Sequence, residues 1–261
     1  MTDRKLPRER SRLGAFFQAR LSPEGLFGRH FSIGGGVFIA AVLVFAGIAV
    51  HVSSANWLTA TDDRISHWFD LHGTVGWTRF MFVITDLHGS VAIPLFSAVF
   101  VLLLARRKDW FWMAAVAGTT FGGMLLNIGL KYVFRRGRPS FENPLVNIAT
   151  YSFPSGHTVG TTLFYSVLAA YLMSRVSSIA ARIAILAVAA AMVALVGLSR
   201  IYLGAHYLSD VVGAILEGLA WLSLCLTAVA VARRYFDAKM KPVKSTTSAT
   251  SAKPGRQDRD S

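Results

Sequence analysis

Apolar residues along this chain collect into six long runs that short polar segments separate. An α-helix rises about 1.5 Å per residue, so about 20 apolar residues match the hydrocarbon thickness of a bilayer. The pattern therefore predicts an all-α fold, a six-span transmembrane helical bundle. The predicted spans cover about 33–52, 86–104, 110–130, 157–174, 183–198 and 207–231.

The stretch 56–82, between the first two runs, has a different pattern. Ile65, Trp68, Phe69 and His72 recur at helical spacing, with charged residues between them. Apolar and aromatic residues on one face of a helix favour a position along the membrane surface. We therefore expect a short interfacial amphipathic helix after the first span.

Composition supports a membrane protein and divides the chain into three parts. Hydrophobic residues make up 53% of the sequence, above the usual proportion for a soluble domain. A transmembrane domain over 33–232 is predicted between a basic segment, 1–32, and a basic tail, 233–261, whose composition indicates disorder. The first apolar run is longer than the core of a signal peptide, so we expect an uncleaved first span.

The formal net charge of +13 would suit a nucleic-acid-binding protein, but its distribution indicates a membrane protein instead. In the six-span topology, 20 of the 27 Lys and Arg residues lie on the side of the two termini. The positive-inside rule then predicts a multi-pass plasma-membrane protein with both termini in the cytoplasm. No nucleic-acid partner is expected.

Three polar clusters follow or precede apolar runs: the first cluster, 131–139, the second, 151–157, and the third, 199–210. The third span ends at the first cluster, and the fourth begins at the second. A helical hairpin then returns the chain to the third cluster. The topology therefore predicts that all three clusters meet at the outer, periplasmic or extracellular, face.

The third cluster contains a pair suited to nucleophilic chemistry. His206 and Asp210 are four residues apart and share one face of a helix. A carboxylate against one imidazole nitrogen fixes the tautomer and leaves the other nitrogen free to attack or to accept a proton. His157, in the second cluster, is a candidate acid.

The remaining cluster residues suit a tetrahedral anion such as phosphate. Arg and Lys side chains bind phosphate oxygens, and Arg can do so through two hydrogen bonds. Backbone N–H groups at the start of a helix also favour anions. The candidate phosphate-binding residues are Lys131, Arg138, Ser155, Gly156 and Arg200.

The same composition argues against a metal or another cofactor. The clusters contain several cations but only one carboxylate, Asp210, which is assigned to His206. The single cysteine, Cys225, lies in an apolar run and cannot form a disulfide or a cysteine metal site within one chain. We expect neither a metal nor a cofactor.

In order, the clusters read Lys-x6-Arg-Pro, Pro-Ser-Gly-His and Ser-Arg-x5-His-x3-Asp. This arrangement resembles the signature of the phosphatidic acid phosphatase type 2 superfamily, and it covers residues 131–210. The six-span layout resembles the bacterial integral-membrane branch, which includes undecaprenyl-diphosphate and phosphatidylglycerophosphate phosphatases. The resemblance implies that His206 is a nucleophile that forms a phosphohistidine, that Asp210 orients it, and that His157 protonates the leaving group and then activates water.

The expected activity is therefore metal-independent hydrolysis of a lipid phosphate or diphosphate. Undecaprenyl diphosphate is the favoured substrate, ahead of phosphatidylglycerophosphate and phosphatidic acid. One alternative is a lipid phosphotransferase that passes phosphate to another lipid such as lipid A. The non-enzyme alternative is a transporter or lipid-binding protein, although transporters carry their polar groups near mid-span.

The sequence also predicts roles for polar residues outside the eight site positions. Glu217 is seven residues beyond Asp210 and shares its helical face, which indicates a packing or gating partner. Arg135 and Arg136 are predicted to touch a second phosphate or a lipid headgroup, or to lie at the interface.

Overall fold

The computed structural model describes residues 29–240, except 143 and 147. Nearly all of the predicted basic segment 1–32, and residues 241–261 of the predicted tail, lie outside the described residues. Every element in the described part is helical, which confirms the all-α prediction. The helices are α1 (Arg29–His51), α2 (Trp57–His72), α3 (Val75–Leu87), α4 (Ala92–Arg106), α5 (Trp110–Ala117), a π-helical turn (Gly118–Gly122), α6 (Gly123–Phe134), α7 (Gly156–Met173), α8 (Ile179–Tyr202) and α9 (Leu208–Met240).

Length and composition qualify four helical stretches of the described chain as membrane spans: Ile33–His51, Trp110–Phe134, Ile179–Tyr202 and Leu208–Asp237. The second of these joins α5, the π-helical turn and α6. The pair α3 and α4, bent by 41° at a short break, makes a fifth candidate. Residues 29–240 therefore contain four or five candidate spans, and the count of six stays a prediction.

Helix α7 is not apolar enough to qualify as a span by this criterion, and it lies inside the bundle. Ten of its 18 residues are buried, among them Thr158, Thr161 and Thr162. It packs against α8 and α9, and small residues such as Gly160 allow close contact between membrane helices. A helix that other helices surround does not need an apolar surface toward lipid.

The region 56–106 differs from the sequence prediction. The expected amphipathic segment is two helices, α2 and α3, and the predicted second span starts in the last turn of α3, before the break that precedes α4. Helix α4 alone, with 15 residues, rises about 22 Å, which is less than the bilayer core. Helix α2 buries Asp62 and Ser66 and leaves Trp57 exposed. Two polar residues of α2 thus turn toward the protein, while Asp63, Arg64 and Asp70 stay exposed.

The last helix also runs past its predicted end. Helix α9 continues to Met240, so residues 233–240 of the predicted tail are helical. Alanine, lysine and arginine are good helix formers, which lets the helix extend beyond its apolar part. On the outer surface of the bundle, α1 and α8 expose large apolar side chains such as Leu43 and Ile183, as expected for contact with lipid.

One end of the bundle collects the polar residues. It contains the end of α6, the start of α7, the turn between α8 and α9, and the α3–α4 break. Gly204 makes that turn with φ +65°, a conformation that L-residues rarely adopt. A Cβ atom at Gly204 would also come within 2.6 Å of the Phe141 ring. The turn is thus specific for glycine, and it sets the position of His206 two residues later.

Candidate active site

His206 and Asp210 form a buried pair at the start of α9. Asp210 Oδ2 lies 3.4 Å from His206 Nδ1 and accepts the backbone N–H of Tyr207 at 3.0 Å. Arg138 Nη1 lies 3.2 Å from His206 Nε2 on the other side of the ring. Because a guanidinium can only donate, Nε2 must accept and Nδ1 must carry the proton. The lone pair of Nε2 is thus directed at the cationic side of the site.

The charge of His206 follows from the same surroundings. Burial, with the nearby cations Arg138 and Lys131, lowers the pKa of His206 to about 3, although Asp210 opposes the change. The imidazole is therefore neutral at physiological pH. A neutral ring with an unprotonated Nε2 is the form in which histidine can attack phosphorus.

Arg138 is held on three sides by backbone and side-chain oxygens. Its Nε donates to Thr150 O at 2.7 Å, and its Nη1 donates to Ala205 O at 2.6 Å. Its Nη2 donates to Thr150 Oγ1 at 3.0 Å and to Tyr151 O at 3.1 Å. These bonds fix the planar guanidinium beside His206 and join the first cluster to the second and third.

Lys131 and Arg200 bring two further cations to this end of the bundle. Lys131 Nζ donates to Tyr151 O at 2.8 Å and to Ser152 O at 3.3 Å. The buried Arg200 donates from Nη1 to Thr85 Oγ1 on α3, and its Nε has no hydrogen-bond partner among the described residues. Arg200 therefore retains a buried donor that the protein does not satisfy.

The start of α7 completes the site. Ser155, at the N-cap, donates its backbone N–H to Asp210 O at 3.1 Å, and its Oγ accepts from Thr158 at 3.0 Å. Gly156 lies beside Lys131, and His157 interacts electrostatically with His206 and with all three cations. The structure thus brings all eight predicted site residues to one end of the bundle.

The structure also shows two participants that the sequence reasoning missed. Arg136 donates from Nη1 to Asp210 Oδ1 at 2.6 Å and from Nη2 to Asp62 Oδ2 at 2.8 Å. Both ion pairs are buried. Arg136, predicted to touch a second phosphate or a headgroup or to lie at the interface, is thus a buried partner of two carboxylates. Burial alone would lower the pKa of Arg136, but Asp210 and Asp62 raise it above its usual value.

A second buried polar contact lies deeper in the bundle. Asn127 donates from Nδ2 to Glu217 Oε2 at 2.9 Å, while Glu217 Oε1 has no partner among the described residues. Asn127 also reaches Pro154 O at 3.4 Å, next to the second cluster. Glu217 lines an apolar groove of about 300 Å³ between α1, α6 and α9. These contacts support the packing role predicted for Glu217.

The fold and the site together define a general class of protein. They form the polar end of a helical membrane bundle, with a neutral histidine facing cations that suit an anion. Within the described chain, no group of three or more His, Cys, Asp or Glu side chains is arranged to hold a metal ion.

Comparison with known proteins identifies the family. The PAP2 superfamily matches residues 111–234. Phosphatidylglycerophosphatase B of Bacillus subtilis is 36% identical over 133 residues, which is 50% of this chain and 64% of that protein. Decaprenylphosphoryl-5-phosphoribose phosphatase of Mycobacterium tuberculosis is 34% identical over 157 residues, 59% of this chain and 71% of that protein.

A solved structure agrees with this match. It is the crystal structure of a transmembrane PAP2-type phosphatidylglycerolphosphate phosphatase from Bacillus subtilis. The two chains align with a TM-score of 0.66 and 28% sequence identity, over 78% of this chain and 97% of that one. The chain belongs to the PAP2 superfamily.

Proposed function

We propose that this protein is an integral-membrane phosphatase that hydrolyses the terminal phosphate of a lipid. The observation that carries the proposal is the unprotonated Nε2 of His206, which faces Arg138 at 3.2 Å. A neutral imidazole nitrogen beside a fixed cation is what in-line attack on a phosphoryl group requires. Lys131 and Arg200 add two positive charges that offset the negative charge of the phosphate oxygens.

The reaction then follows in two steps. Nε2 of His206 attacks phosphorus, the P–O bond to the lipid breaks, and the leaving oxygen takes a proton from His157. His157 carries that proton only while the negative charge of the bound phosphate offsets the neighbouring cations Arg200, Arg138 and Lys131. His157 next takes a proton from water, which attacks phosphorus and breaks the P–N bond. Inorganic phosphate leaves, and His206 is neutral again. Asp210 holds the proton of His206 on Nδ1 and stabilises the positive charge that the imidazole gains in the first step.

The proposed substrate is a membrane lipid that ends in phosphate. The relatives are named for phosphatidylglycerophosphate and for decaprenylphosphoryl-5-phosphoribose. The site lies at one end of apolar helices, where a headgroup would lie while its chains remain in the bilayer. Undecaprenyl diphosphate, favoured by the sequence, stays part of the proposal alongside these two lipids and phosphatidic acid.

The proposal also includes a location. Both termini lie in the cytoplasm and the site opens at the outer face of the plasma membrane. The positive-inside bias of the loops supports this orientation.

The test is phosphate release by purified protein in detergent, measured across these four lipids and a water-soluble phosphate ester. We expect one lipid to be preferred and His206→Ala to be inactive. Equal turnover of the water-soluble ester would contradict the lipid-specific proposal. Transfer of phosphate to an added acceptor lipid, instead of release to water, would make the protein a phosphotransferase.

The proposed chemistry needs no divalent cation, because Lys131, Arg138 and Arg200 supply the positive charge. Activity should therefore survive EDTA. Orthovanadate should inhibit, because it can adopt the five-coordinate geometry of the transition state beside the same cations. Loss of activity on chelation, with recovery on added Mg²⁺, would mean that these cations are not sufficient.

A further inference from the structure

A buried chain of charges continues from Asp210 away from His206. Arg136 lies five residues beyond Lys131, yet its guanidinium turns inward and stacks over the Tyr207 ring at 4.2 Å. Asp62, on α2, lies on the far side of this guanidinium and is 1% exposed. The chain thus runs from α2 through Arg136 to the catalytic pair.

Ser209, next to Asp210 in the chain, hydrogen-bonds to both Asp62 and Arg136. Its backbone N–H donates to Asp62 Oδ1 at 3.0 Å, and its hydroxyl donates to Asp62 Oδ2. Arg136 Nη1 donates to the same hydroxyl at 2.7 Å. Asp62 therefore accepts from both the first turn of α9 and Arg136, and it fixes these two groups relative to each other.

The two oxygens of Asp210 have separate partners as a result. Oδ1 accepts from Arg136, while Oδ2 accepts from Tyr207 N–H and faces His206 Nδ1. A carboxylate held at both oxygens cannot rotate away from the imidazole. Partners of this kind orient a reactive ligand without touching the substrate.

We propose that Arg136 and Asp62 are positioning residues that act on His206 through Asp210. The inference rests on the proposed function, since it needs His206 as nucleophile. Arg136 holds Oδ1 so that Oδ2 stays on Nδ1, and Asp62 holds Arg136. Arg136 also balances the buried charge of the two carboxylates, which would otherwise repel each other.

This arrangement gives α2 a function. Asp62 is the point at which α2 joins the site, so the helix must be docked for the His206–Asp210 pair to be oriented. The burial of Asp62 on α2 is explained in the same way, since its carboxylate needs the donors of Arg136 and Ser209.

The experiment measures kcat, KM and thermal stability for Arg136→Gln, Arg136→Lys and Asp62→Asn in the full-length protein, with the preferred lipid of the panel. We expect Arg136→Gln and Asp62→Asn to lower kcat by about 10- to 100-fold with KM nearly unchanged. Arg136→Lys should recover part of this loss, because lysine keeps the positive charge but lacks the planar guanidinium that donates to both carboxylates.

A double-mutant cycle with Asp210→Asn separates positioning from a structural role. If Arg136 and Asp62 act through Asp210, their substitutions should cause little further loss of kcat in the Asp210→Asn background. The same fold-loss in both backgrounds would overturn the inference. Should Arg136→Gln fail to fold, the cycle is read from Asp62→Asn, which keeps the shape of the side chain.

The ion pair between Arg175 and Asp109 is the matched control. It lies away from the site and is partly exposed, so Arg175→Gln should change kcat by less than about twofold. An active His206→Ala variant would overturn the proposed function itself. An inactive His206→Ala together with near-parental Arg136→Gln and Asp62→Asn would overturn only the positioning role.

Discussion

His206 depends on two neighbours that act on different nitrogens of its ring. Asp210 faces Nδ1, and Arg138 donates to Nε2. The two contacts together select one tautomer and one ring orientation, with the lone pair directed at the cations. At the scale of the residue, this selection is what turns an ordinary buried histidine into a candidate nucleophile.

The first residue-scale prediction separates the two members of this pair. His206→Ala should abolish turnover, because no phosphohistidine can form. Asp210→Asn should keep the fold but lower kcat by about 10²- to 10⁴-fold, because the amide no longer favours the reactive tautomer. Phosphate release and trapping of the phospho-enzyme measure both effects. Full activity in either variant would refute the assignment.

The second residue-scale prediction concerns pH and stability. In the unfolded chain, His206 takes up a proton near pH 6.5, whereas its pKa in the folded protein is lowered to about 3 by burial. Between these values the unfolded state binds the additional proton, so this contribution to stability falls as the pH falls.

Thermal unfolding in detergent between pH 7 and pH 4 would measure this effect. His206→Asn should make the melting temperature less dependent on pH in that range. An unchanged pH dependence in the variant would show that another group is responsible.

At the scale of the element, α7 shows how tertiary packing overrides hydropathy. Its threonines and glycines make it less apolar than its neighbours, yet ten of its residues are buried. The α3–α4 pair shows the opposite effect, since a bend at residues 88–91 divides one apolar stretch into two helices. In that break, Gly89 lies beside His157, so the bend forms one wall of the site.

Helix contacts give the element-scale prediction. A Cβ atom at Gly123 would lie 2.5 Å from Leu163 and 2.8 Å from Trp221, whereas one at Gly129 on the same helix would meet nothing within 4 Å. Gly123→Ala should therefore destabilise the protein by about 1–3 kcal/mol. Gly129→Ala should be neutral or stabilising by up to about 1 kcal/mol.

Thermal unfolding of the two alanine variants tests this difference directly, because both changes add the same methyl group to α6. Equal melting temperatures would mean that the contact between α6, α7 and α9 is looser than the structure indicates.

At the scale of the whole molecule, the prediction concerns orientation in the membrane. In a Cys225→Ala background, Ser140→Cys should react with an impermeant thiol reagent added to intact cells, because the proposed orientation places its loop at the outer face. Arg106→Cys, at the other end of α4, should react only after the membrane is permeabilised. The reverse pattern would place the site at the cytoplasmic face.

The helical class and the membrane character follow from local sequence patterns, and the motifs predict eight site residues, which the fold brings to one end of the bundle. Each of these depends on local information: apolar runs of fixed length, and motifs whose residues are separated by one helical turn or by one hairpin. Arg138 and His206 meet as predicted because the helices between them are rigid and have defined lengths.

The partners of Arg136 and Asp62 depend on tertiary packing and could not be predicted from the sequence. The two residues are 74 positions apart, and no periodicity links a carboxylate on α2 to an arginine beyond α6. In the sequence Asp62 resembles the exposed charges around it on α2, and the structure turns it inward. Burial of that carboxylate is stable only because Arg136 and Ser209 donate to it, and these donors are brought together by the packing of three separate parts of the chain.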